Sequence, residues 1–230
     1  MYTKCENTIE AFEKAVSLGV SMIEFDVRKT MDHYLVCYHD EIAGSFRVSD
    51  MSYKDLLDQA KQNNCHIPLV EDIFKCCKGR MKLDIELKES GYEQAIVEMI
   101  KKHLSYSDFV VKSFSDQTIK TIKKLDRNIT TGLLLGREKS KYNILSLISE
   151  LFPEYRLLRS HADFVAPHFM LLRIGFLSRM RLLKKNVYVW AVNDEKNIQA
   201  MINKGVYALI TDRIDLAIKL KTLHQGLVEK

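Results

Sequence analysis

Glu24 and Asp26 stand two residues apart in SMIEFDV, and Glu86 ends the similar run MKLDIEL with Asp84 and Lys88 two residues to either side. Residues two apart on a strand point to one face, so each run offers carboxylates on a single side of an otherwise apolar strand. Carboxylates gathered at one place repel unless a cation lies between them, and hard oxygen ligands suit Mg²⁺ or Ca²⁺. Any one of these acids taken alone also fits a helix cap or an ion pair with Lys or Arg. His39, in YHD, follows an apolar run and carries an imidazole suited to moving a proton near neutral pH. Lys88, Lys112 and Arg213 follow strands and could meet a phosphate, although each alone reads as a solvated charge. Trp190, the single Trp, ends the strand VYVWAV, either as a platform for a ligand's carbon skeleton or as a core aromatic; His168 reads as structural.

These residues need elements to position them. Apolar runs rich in Val, Ile and Phe alternate with amphipathic stretches, the pattern of βα units around a parallel sheet. Seven strands are expected, over 21–27, 81–87, 108–114, 130–135, 162–169, 186–192 and 207–212. Helices between them have caps at Asn7 or Thr8, Ser115 or Asp116, and Asn193 or Asp194, and the first and last close on Gly19 and Gly205. An eight-stranded (β/α)8 barrel in one domain over 1–230 needs one more strand, and the order leaves room for it only before Thr3; a seven-stranded open sheet is the other solution. The run IEFDVRKTMDHYLVCYHD reads as a hairpin, since parallel strands need a longer crossover. A turn at Asp32 and His33 sets Asp26 opposite His39. Residues 41–67 read as a small irregular insertion with one amphipathic stretch.

The sequence contains no Walker loop, dinucleotide glycine fingerprint, G-x-S-x-G elbow or cysteine zinc spacing. Thirty-five Lys and Arg against 30 Asp and Glu are spread along the chain, which excludes a basic arm for nucleic acid. No stretch reaches the length and apolarity of a membrane helix, the opening is not a signal peptide, and the five cysteines (Cys5, Cys37, Cys65, Cys76, Cys77) read as free thiols; together these place the protein in the cytoplasm.

ENTIEAF, IEFDV, YHD, LDIELK, VYVWAVND and ALITD, in that order from Cys5 to about Asp212, resemble the motifs of the glycerophosphodiester phosphodiesterase family. The resemblance implies a (β/α)8 TIM barrel with a short insertion after the hairpin, a divalent cation on Glu24, Asp26 and Glu86, and hydrolysis of a glycerophosphodiester to an alcohol and glycerol 3-phosphate. It further implies His39 as an acid/base group, Lys88 on the phosphate and Trp190 on the glycerol. Two departures stand out. Cys5 replaces a Pro, and the His-Arg-Gly triplet that ends the family's first strand has no counterpart in Met1 to Lys4. The triplet supplies a second acid/base histidine and a phosphate-binding Arg, so a catalytically impaired or purely binding member of the family is the alternative reading.

Overall fold

The computed structural model describes residues 7–61, 65–136 and 144–228. Cys5 and Met1–Lys4, where the sequence departs from the family motif, lie outside them. The chain divides into two compact units, Met1–Thr131 and Gly132–Lys230.

The first unit opens with helix α1 (Ile9–Ser17), capped by Thr8, whose Oγ1 accepts from Ala11 N at 3.3 Å. Strand β1 (Met22–Lys29) turns back into β2 (Leu35–Cys37), and after an insertion come α3 (Val70–Cys77), β5 (Lys82–Leu87), α4 (Glu93–His103), β6 (Phe109–Ser113) and α5 (Asp116–Leu125). Ser115 caps α5. The sheet order is β2-β1-β5-β6, with β1, β5 and β6 parallel and β2 antiparallel to β1. One face of these strands, including Phe25, Val27, Leu83, Ile85 and Val111, packs with Phe12 of α1, Phe74 of α3 and Ile96 of α4 into the main core. Among the described residues, the Met22–Asp26 part of β1 has a strand partner only in β5.

The hairpin is present, with a register one residue away from expectation. Val27 pairs with Cys37 and Arg28 with Val36, and Tyr38 N donates to Asp26 O at 3.1 Å, so Tyr38 rather than His39 lies opposite Asp26. The loop holds three residues, Met31 to His33, between the Thr30 and Tyr34 partners, and His33 takes a left-handed φ of 68°.

The insertion is more ordered than its sequence suggests. It holds a two-residue hairpin, β3 (Ile42–Ala43) with β4 (Phe46–Arg47), a short 3-10 turn at Val48–Asp50, and helix α2 (Tyr53–Lys61). Ala43, Val48, Met51, Leu56 and Ile67 form a small core of their own over Val36. Cys37, Cys76 and Cys77 are free thiols, but Cys65 is disulfide-bonded, which corrects the expectation that every thiol is free.

The second unit begins within β7 (Thr131–Leu135) and contains α6 (Ile144–Leu151), α7 (Glu154–Ser160), β8 (Phe164–Pro167), α8 (Phe176–Leu182), β9 (Asn186–Val189), α9 (Glu195–Asn203), β10 (Ala208–Leu209) and α10 (Ile214–Val228). Strands β7 to β10 pair in parallel in chain order. Asp194 caps α9, and Gly205 ends it with a φ of 65°. The alternation of strand and helix with parallel pairing is that of a (β/α)8 barrel, of which the described residues contribute seven parallel strands. No helix among them is long and apolar enough to cross a membrane.

Candidate active site

The parallel register of the first unit builds the site. Glu24 lies beside Asp84 and Asp26 beside Glu86, while Lys112 of β6 lies beside Glu86. Four acids thus form a square on the face opposite the main core. One oxygen from each of Glu24, Asp26 and Glu86 lies within 4.8 Å of the other two.

Two lysines are set into this square. Lys88 Nζ is 2.8 Å from Asp26 Oδ1 and 2.7 Å from Glu86 Oε1. Lys112, fully buried, is 2.9 Å from Asp84 Oδ2 and 3.3 Å from Glu24 Oε1. Neither is the solvated charge its sequence position suggested. Burial works against both ammonium groups, but the carboxylates around them outweigh it and hold both pKa values above the ordinary lysine range. Glu24 goes the other way: burial, opposed by Lys112 and assisted by Asp26, Glu86 and Asp84, pushes its carboxyl up to about 8, although 27% of its side chain remains exposed. Burial also raises the Asp84 carboxyl, against the pull of Lys112.

Four carboxylates outnumber the two ammonium groups; with the Glu24 carboxyl at about 8 and mostly protonated near neutral pH, one negative charge stays unmatched, and a second appears when Glu24 ionises. Asp84 Oδ1 is buried with no hydrogen bond, and Glu86 Oε1 has only its ion pair with Lys88. A set of carboxylate oxygens with this deficit fits a hard divalent cation.

Further residues hold the square in place. Asn7 Nδ2 donates to Asp26 Oδ2 at 3.0 Å, and Cys37 Sγ donates to Asn7 Oδ1 at 3.3 Å. Arg28, third on the face of Glu24 and Asp26, donates through Nε and Nη2 to the His39 carbonyl and pairs through Nη1 with Glu89. The His39 ring is half exposed, and its Nδ1 lies 2.8 Å from Asp40 Oδ1. A cleft of about 380 Å³ is lined by Arg28, Glu41, Arg47, Ser49, Lys88 and Glu89, so the insertion contributes part of its wall.

Residues 1–216 match the sequence profile of the glycerophosphoryl diester phosphodiesterase family. The chain belongs to that family. A glycerophosphodiester phosphodiesterase of Caldanaerobacter subterraneus subsp. tengcongensis is 25% identical over 233 residues, covering 94% of this chain and 91% of its own. The crystal structure of a glycerophosphodiester phosphodiesterase from Parabacteroides distasonis superposes with a TM-score of 0.82 at 23% identity, over 97% of this chain and 94% of that one. A phosphodiesterase of Oleispira antarctica, solved with the product sn-glycerol-3-phosphate, gives a TM-score of 0.78 at 20% identity over 94% and 90% of the two chains.

The structure also sets Arg28 beside the His39 carbonyl and Asp84 and Lys112 within the cluster, although the sequence assigned no role to Arg28 and left Lys112 between a phosphate contact and a solvated charge. The available signal was parity, since Arg28 is two residues beyond Asp26. Trp190 belongs to the second unit, half buried, with Nε1 donating to Ala166 O at 2.7 Å. The His168 ring meets it edge-on at 5.2 Å, and His168 Nδ1 caps the 3-10 turn that follows. Arg213 is exposed, 3.8 Å from Asp215.

Proposed function

We propose that this chain hydrolyses glycerophosphodiesters to an alcohol and glycerol 3-phosphate, and that the reaction requires a divalent cation, Mg²⁺ or Ca²⁺, held by Glu24, Asp26 and Glu86. The observation that carries the reading is the convergence of three carboxylate oxygens within 4.8 Å in a square where carboxyl groups outnumber ammonium groups. The glycerol 3-phosphate seen in the related Oleispira enzyme supports the choice of product.

A cation held there supplies positive charge to a phosphoryl oxygen as a Lewis acid. Lys88 adds its own charge and binds the phosphate from between Asp26 and Glu86. His39 moves the proton: Asp40 accepts from Nδ1–H, which leaves Nε2 with a lone pair to take a proton from the attacking water as its oxygen bonds to phosphorus, while the departing alkoxide takes up a proton as its P–O bond breaks. The motif VYVWAVND also gives Trp190 a substrate-binding role; its N–H is committed to Ala166, so the ring face is the part it would offer to glycerol carbons. The cleft beside Lys88 receives the remaining polar portion of the substrate.

The test is release of glycerol 3-phosphate from glycerophosphocholine and glycerophosphoethanolamine by chelator-treated protein. Activity should be lost on chelation and return with Mg²⁺ or Ca²⁺, and Asp26→Asn or Glu86→Gln should lower the restored rate on the order of 10²-fold or more. Full activity in excess chelator would overturn the metal assignment.

A further inference from the structure

The second unit turns an unusual amount of apolar surface outward over one stretch. Of the twenty large hydrophobic side chains exposed among the described residues, eleven fall between Ile144 and Leu183. Helix α6 is reversed relative to an ordinary surface helix. It exposes Ile144, Leu145 and Ile148 while Glu150 is buried. Leu158 of α7 and Leu182 of α8 are 73% and 83% exposed.

Arg179 joins these elements into one surface. Its guanidinium lies 4.5 Å over the Phe152 ring, pairs with Glu154 through Nε at 2.6 Å, and also donates to the carbonyls of Leu151 and Ile174. The end of α6, the start of α7, the loop before α8 and α8 itself are therefore fixed against one another around a single side chain. Leu158 and Leu183 line the same shallow depression, with Lys185 at its edge.

The charge around this surface is one-sided. Residues 144–185 contain seven Arg and Lys against three acids, a net charge of +4. One of the acids is the buried Glu150, and another, Glu154, is bound to Arg179. Arg159, Arg173, Arg181 and Lys184 are exposed.

Exposed apolar side chains gathered in this number on helices held together by one side chain mark a contact surface. Leu, Ile, Phe and Tyr rimmed by Arg and Lys is the composition that enters the boundary of an anionic bilayer, where apolar side chains reach the acyl region and the cations meet lipid phosphates. A second copy of the chain fits less well, because an isologous contact would set +4 against +4.

We propose that the α6–α7–α8 surface docks this protein on an anionic phospholipid bilayer. The proposal goes beyond the hydrolytic reading and does not depend on it, so its test reads binding alone.

The whole chain is sedimented with vesicles of phosphatidylcholine and with vesicles of phosphatidylcholine mixed with phosphatidylglycerol. It should partition onto the mixed vesicles, weakly onto the neutral ones, and less as salt rises. Leu158→Glu together with Leu182→Glu should lower partitioning by about tenfold or more, and so should Arg173→Ser with Lys184→Ser. All four side chains are exposed, so both variants should keep the parent's circular dichroism and melting temperature, and the charge variant stands in should the leucine variant misfold. No binding to either vesicle, equal binding to both, or unchanged binding by the variants overturns the proposal. So does a dimer in sedimentation velocity that the leucine variant converts to monomer, since a second copy would then occupy the surface.

Discussion

Arg28 donates to the carbonyl oxygen of His39 from Nε at 3.0 Å and from Nη2 at 2.9 Å. The contact ties the loop after β2 to the strand that carries Glu24 and Asp26, so the position of the imidazole depends on a side chain two residues beyond the carboxylates. Glu89, paired with Arg28 and accepting from Lys29 N at 3.3 Å, holds the guanidinium in turn.

On the proposed role of His39, Arg28→Ala should therefore reduce kcat by about 10- to 10²-fold with a smaller change in KM, because the guanidinium holds the His39 backbone although it also lines the cleft. Arg28→Lys should recover only part of the loss, since an ammonium cannot reproduce the forked contact. Steady-state kinetics with melting temperatures decide the matter. A rise in KM at constant kcat would assign Arg28 to substrate binding instead.

Much of this site was legible because parity on a strand is local. Glu24 with Asp26, and Asp84 with Glu86 and Lys88, share faces whatever the rest of the chain does. The register between strands is set by packing elsewhere, and for that reason Lys112 read as a surface charge although β6 places it beside Glu86. The hairpin shows the same limit on a smaller scale. A loop of three residues in place of two, made possible by the left-handed backbone of His33, moves every facing pair by one and puts Tyr38 opposite Asp26. In the insertion, α2 showed its periodicity, but two-residue strands such as β3 and β4 are too short to carry any.

Glu24→Gln should separate folding from metal binding. In metal-free protein it removes one of four crowded carboxylates, so stability should rise by about 1 kcal/mol, or roughly 2–4 °C in a unit of this size. The same change should abolish most of the stabilisation by Ca²⁺ or Mg²⁺, which for the parent reaches about 2.7 kcal/mol at a hundredfold excess over Kd. Melting curves with and without metal measure both effects. A metal-induced rise equal in the two proteins would remove Glu24 from the ligand set.

Lys112 is the buried counter-charge of Asp84 and Glu24. Lys112→Met should destabilise by about 3–5 kcal/mol, because it leaves Asp84 charged and unpaired in the interior. Adding Asp84→Asn should restore a large part of that loss, so the two changes should be strongly non-additive in urea unfolding. Additive losses would show that the pair does not act as a unit.

Gly132 of β7 has no room for a side chain. A Cβ there would lie 2.2 Å from Cε2 and Cζ of Phe164, whose ring is buried and stacked 4.1 Å from Tyr188. The ring cannot swing away, so Gly132→Ala should destabilise by about 1–3 kcal/mol, and Phe164→Leu should relieve part of the strain in the double variant. Thermal unfolding of the three proteins tests this.

Asp126 should set part of the acid stability of the first unit. Its Oδ2 accepts from Tyr106 Oη at 2.7 Å and from Lys101 Nζ at 2.9 Å, and its Oδ1 from Asn128 N at 3.0 Å. The Tyr106 hydroxyl and then Lys101 hold the carboxyl at about 2, below its ordinary 3.8. Lys101 is half exposed and its ion pair is screened, which leaves the hydrogen bonds as the main source of the effect. A carboxylate depressed in the folded state stabilises it fully above the ordinary value, because folded and unfolded chains are then both ionised. As the pH falls from 3.8 towards 2 the unfolded chain takes up a proton that the folded chain refuses, and the stabilisation drains away. Asp126→Asn should therefore be less stable than the parent by about 1–2 kcal/mol at neutral pH, with the gap closing across that acid window. Urea unfolding at several pH values measures the gap directly. If it stays constant down to the lower end of the window, the acid sensitivity belongs to another carboxylate and the hydrogen bonds from Tyr106 and Asn128 do not distinguish the charged form.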